Sequence, residues 1–113
     1  MKVASLVTSL EYNETRPAVQ VLMETDSSKE IRIAFKKGQI MKEHKTPFPI
    51  VVEIFEGAID FGVHDTIYNL KKGDLVALDG NVPHNLKAID NSIVRLSLYT
   101  LDSVKRVEGV AKQ

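Results

Sequence analysis

The sequence contains no cysteine and no tryptophan, only three histidines, and acidic and basic side chains in equal number, fifteen of each. Without cysteine there is no disulfide framework, no thiolate zinc site and no cysteine nucleophile. With a formal net charge of zero there is no whole-molecule field to draw the chain onto nucleic acid or an anionic membrane. Neither nucleic acid nor membrane is therefore an expected partner. No run of 18 apolar residues occurs, so no transmembrane helix is expected. The opening MKVASLVTSLEYNETRP is interrupted by Thr8, Ser9 and Glu11 and is too polar for a secretory core, which makes the cytoplasm the expected location. Any imidazole chemistry rests on His44, His64 and His84 alone.

The chain has 113 residues, 43% hydrophobic and 27% charged, enough for one globular domain and too short for two. Its organisation reads as an N-terminal extension over 1–18, a β-domain over 19–100 and a C-terminal tail over 101–113. The tail is weakly periodic and open to three readings: a last strand, a short helix or a frayed end. From Val19 to Thr100 short stretches alternate apolar and polar residues, and each is bounded by Gly, Pro, Asp or Asn. Val19 to Met23 and Ile31 to Phe35 read as a hairpin. A strand follows from Gln39 to Lys45, then Pro47 and Pro49 interrupt the ladder. IVVEIF, AIDFGV, TIYNL, LVAL, HNLKAI and SIVRLSLY continue the series, with His64 and Asp65 in a hairpin turn. Nine to ten short strands with no internal helix predict an all-β fold, a sandwich, jelly roll or small barrel.

Two stretches, GQIMKEHKTPFPIVVEIFEG (Gly38 to Gly57) and GDLVALDGNVPH (Gly73 to His84), resemble the paired motifs of the cupin superfamily. Gly38, His44 and Gly57 fall at the first motif's offsets, and Gly73 and His84 at the second's. The resemblance covers most of the chain and implies an antiparallel jelly-roll β-barrel with a pocket between the strands that carry the two motifs. It also implies a divalent metal, such as zinc, nickel, iron or manganese, with His44 and His84 as its ligands. Two of the four usual ligand positions are not met, since Thr46 stands at the second histidine and Ile50 at the glutamate. Asp79 and Asn81 replace the second motif's Pro and Gly.

Alternation places Lys42, His44 and Thr46 on one face of their strand, Ile50, Val52 and Ile54 on one face of the next, and His84, Leu86 and Ala88 on another. The expected pocket is His44, Thr46, Ile50, Val52, Ile54, His84, Leu86 and Leu96, mostly apolar with few polar groups, as small-molecule sites are built. Lys42 beside His44 is expected to depress the imidazole pKa. Glu53 is a substitute carboxylate ligand only if a bulge near the prolines shifts the register. Phe48 either lids the pocket or packs on a neighbour. The leading functional reading is a stand-alone module that binds a small molecule, with weak or absent metal binding. The alternative is a metal-dependent enzyme of dioxygenase or isomerase type using His44 and His84, and a third reading is a ligand sensor acting through another protein. The resemblance also implies a homodimer, which would cover outward apolar residues.

Overall fold

In the computed structural model, which describes residues 1–102 and 104–113, nine antiparallel strands are followed by one helix. The strands are β1 (Ala18–Glu24), β2 (Ser28–Phe35), β3 (Ile40–His44), β4 (Ile50–Glu56), β5 (Ala58–Val63), β6 (Thr66–Lys71), β7 (Leu75–Leu78), β8 (His84–Ala88) and β9 (Ser92–Tyr99). They form a five-stranded sheet in the order β1-β2-β9-β4-β7 and a four-stranded sheet in the order β3-β8-β5-β6. The two face each other as a jelly roll, the all-β architecture expected from the alternation.

Period-two patterning decides what lies between the sheets. Ile31, Ile33 and Phe35 from β2, Ile50, Val52 and Ile54 from β4, Leu86 and Ala88 from β8, and Val94, Leu96 and Leu98 from β9 form one buried cluster. Burial of each such large aliphatic or aromatic side chain is worth about 1.5–3 kcal/mol. The residues between them point out: Glu53 on β4 makes an ion pair with Arg95 (3.0 Å), so it does not enter the barrel as a substitute ligand. Gly38, Gly57 and Gly73 are turn residues with φ near +90°. Gly57 is doubly constrained, because a Cβ there would come within 2.3 Å of Ser92 Oγ. His64 and Asp65, both at positive φ, form the two-residue hairpin turn between β5 and β6.

Two segments depart from the sequence reading. In β3 the register slips between Met41, opposite Leu86, and His44, opposite His84. The bulge turns both Met41 and His44 inward although they are three residues apart, and leaves Lys42 exposed rather than on the histidine's face. The C-terminal tail is helical, α1 (Val104–Ala111), and buries Val107, Val110 and Ala111. It lies against β1 and β3, the edge strands of the two sheets, and so closes the gap between them on that side.

Candidate functional site

The histidines meet because β3 and β8 pair edge to edge. His44 and His84 are cross-strand partners, their ring centroids lie 4.3 Å apart, and the rings cross at 61°. On its other face the His84 ring stacks on Phe61 of β5, with centroids 5.6 Å apart and planes within 9°. Each ring is oriented by a backbone carbonyl two residues before it: His44 Nδ1 donates to the carbonyl of Lys42 (2.6 Å), and His84 Nδ1 to that of Val82 (2.9 Å). A carbonyl only accepts, so both Nδ1 atoms carry the proton and both Nε2 atoms of the neutral rings present a lone pair. Among the described residues no buried side-chain nitrogen or oxygen lacks a partner. Neither Nε2 has a hydrogen-bond partner among the described residues, and both rings line a free space.

That space is a cavity between the sheets. His44, His84, Ile50, Val52, Leu86 and Leu96 line it, six of the eight residues expected from the sequence. Ile54 lies wholly in the core instead, and Thr46, though buried, points away from the cavity. The Thr46 hydroxyl donates to Asp102 Oδ2 at 2.6 Å. Phe48 is no lid: it packs on Tyr99, with ring centroids 5.7 Å apart. Val94 also lines it, and the lining residues absent from the sequence reading are Ile33, Met41, and from α1 Arg106, Val107 and Val110. The central void is about 20 Å³, room for one or two waters.

Burial, opposed in part by the Lys42 carbonyl, lowers the His44 pKa, and the Arg106 guanidinium lowers it further. His84 is pushed down to about 4, chiefly by burial, opposed in part by the carbonyl of Val82, with smaller lowering effects from His44 and Arg106. The nearby cation is therefore Arg106, not Lys42, and both rings are neutral at pH 7. Arg106 is itself held by Asp102 through Nε and one terminal nitrogen, each at 3.1 Å, a two-point contact that offsets its charge.

These residues do not fit a divalent metal centre. Such a centre takes three or four protein donors. Two imidazole nitrogens are present, the third and fourth positions hold Ile50 and a threonine engaged with Asp102, and a guanidinium sits at the cavity wall. Among the described residues no three His, Asp or Glu side chains are grouped to hold an ion.

No family model matches the sequence and no curated protein sequence matches it. Solved structures do match in shape. An RmlC-like cupin protein from Desulfovibrio desulfuricans superposes with a TM-score of 0.80 at 20% identity, over 88% of this chain and 96% of its own. An RmlC-like cupin from Shewanella frigidimarina gives 0.74 at 20% identity, over 88% and 91%. A conserved protein with a double-stranded β-helix domain from Klebsiella pneumoniae gives 0.76 at 17% identity, over 88% and 89%.

Proposed function

We propose that this chain, which has the cupin fold, binds a small uncharged molecule in its barrel, one with an apolar body and a hydrogen-bond donor such as a hydroxyl. The observation that carries this reading is the pair of Nε2 lone pairs held side by side by backbone carbonyls in an otherwise apolar chamber. A donor on the ligand satisfies acceptors that the protein leaves open, and the aliphatic wall takes the rest of the molecule. A carboxylate offers only acceptors to acceptors, and the one cation at the wall is already matched by Asp102. The same geometry argues against a metal enzyme, because a bound divalent ion would need both Nε2 atoms and would lack a carboxylate to offset its charge.

Phenol, toluene and benzoate share a ring and differ in the group this site reads. In titrations followed by amide chemical shifts, phenol is expected to bind about five-fold or more tighter than either, the worth of one net hydrogen bond. His84→Phe keeps a ring against Phe61 and removes one of the two acceptors, so it should narrow the advantage of phenol over toluene. Equal or tighter binding of benzoate defeats the reading. So does one tightly held equivalent of metal by elemental analysis of untagged protein.

A further inference from the structure

The void at the centre of the barrel has room for only one or two waters, too little for the ligand proposed above. What fills the difference is α1. Arg106, Val107 and Val110 enter the cavity from a helix that belongs to neither sheet and spans the gap between their edge strands β1 and β3. Withdrawing that one element vacates three side chains and breaks no strand pairing. We propose that α1 is the gate of the barrel, displaced to admit a ligand and reseated by a polar latch of Thr46, Asp102 and Arg106.

The latch is built from segments distant in sequence. Asp102, almost fully buried, accepts the Thr46 hydroxyl from the segment between β3 and β4 and holds Arg106 one helical turn along. Lys29 Nζ of β2 donates to the Asp102 carbonyl at 2.7 Å, which ties the base of the helix to the five-stranded sheet. Against this anchoring the helix itself is weak. It has eight residues, carries Gly109 in its interior, and has no acidic side chain in its first turn or basic one in its last. A short helix held by Val107, Val110, Ala111, the partly buried Val104 and one buried polar cluster, with no strand pairing, is the least costly part of the barrel wall to open. Thr46 and Arg106 thereby acquire a role that neither has as a ligand: they position the gate.

The proposal rests on the reading of the barrel as a binding site, but its test needs no ligand. The native chain has no cysteine, so Val110→Cys places a single thiol under the gate, and its rate of modification by a soluble thiol reagent reports the helix leaving the barrel. Amide exchange of β9, measured on the same variant, gives the rate of global opening. The expected result is thiol modification at least ten-fold faster than global opening allows. Adding Thr46→Val, which keeps shape and removes the hydroxyl donor, should accelerate modification about ten-fold further while β9 exchange changes less. Modification no faster than global opening overturns the gate, and acceleration of both readouts alike overturns the latch. If phenol fails to bind while the thiol behaves as expected, the binding reading fails and the moving helix stands.

Discussion

At the scale of the residue, His84 concentrates what is unusual about this barrel. It is almost wholly buried, stacked on Phe61, edge-on to His44, and committed through Nδ1 to a backbone carbonyl. Its folded pKa of about 4 lies below the ordinary 6.5. Below pH 6.5 the unfolded chain therefore takes up a proton that the folded chain refuses, and stability present above pH 6.5 is lost as pH falls towards 4. Full loss of this contribution amounts to about 3 kcal/mol. Other groups titrate in that range, so the difference between two proteins isolates the effect. His84→Asn retains an N–H able to reach the carbonyl of Val82 and cannot be protonated. Urea midpoints at pH 7 and pH 4 should fall markedly further for the parent than for His84→Asn. Parallel curves would mean that His84 is not held neutral by the fold.

At the scale of the element, strands were legible and the exceptions have identifiable causes. Alternation in IVVEIF, HNLKA and SIVRLSLY sets which side chains face in, because each strand has one face on the core. The same alternation puts His84, Ile50, Val52, Leu86 and Leu96 on the inward faces, and these five line the cavity. Strict alternation fails at β3, where an extra residue turns Met41 inward and Lys42 outward, and nothing in IMKEH signals the bulge. Thr46 departs from the metal motif, and its partner Asp102 lies 56 residues away, beyond the reach of any local pattern. The tail did carry a signal: Val104, Val107, Val110 and Ala111 recur at helical spacing, and Asp102 and Arg106 stand four apart. Eight residues with an internal glycine blur that period. Gly109 has nothing within 4 Å of where a Cβ would lie, so Gly109→Ala should stabilise α1 by about 0.5–1 kcal/mol, raising the thermal midpoint by a few degrees. It should also slow thiol modification of Val110→Cys. A lower midpoint would mean that the helix needs the flexibility at this position.

At the scale of the whole molecule, a zero net charge conceals a strongly uneven use of individual charges. Arg32 of β2 is 3% exposed, and in the register of the five-stranded sheet it stands opposite Arg95. Arg95 is answered by Glu53 and Glu30, whereas Arg32 is answered by neutral oxygens: the carbonyls of Leu6, Thr8 and Ser9 and the amide oxygen of Gln20. A buried guanidinium is tolerable only while such acceptors surround it, and three of the four belong to the N-terminal segment. Folding of that segment over the outer face of β2 and burial of Arg32 are consequently one event. The sheet supplies the donor, the segment supplies the acceptors, and neither arrangement persists without the other. Arg32→Met keeps most of the aliphatic stem and removes every donor. It should raise amide exchange of residues 5–9 at least ten-fold and lower stability by about 2 kcal/mol, as expected for hydrogen bonds to a charged group. Because the helix base is held by contacts of Asp102 with Thr46, Lys29 and Arg106, none of them with Arg32, thiol modification of Val110→Cys should change far less than exchange at residues 5–9. Unchanged exchange at residues 5–9 would show that the segment is held by its own packing, with Arg32 merely following it.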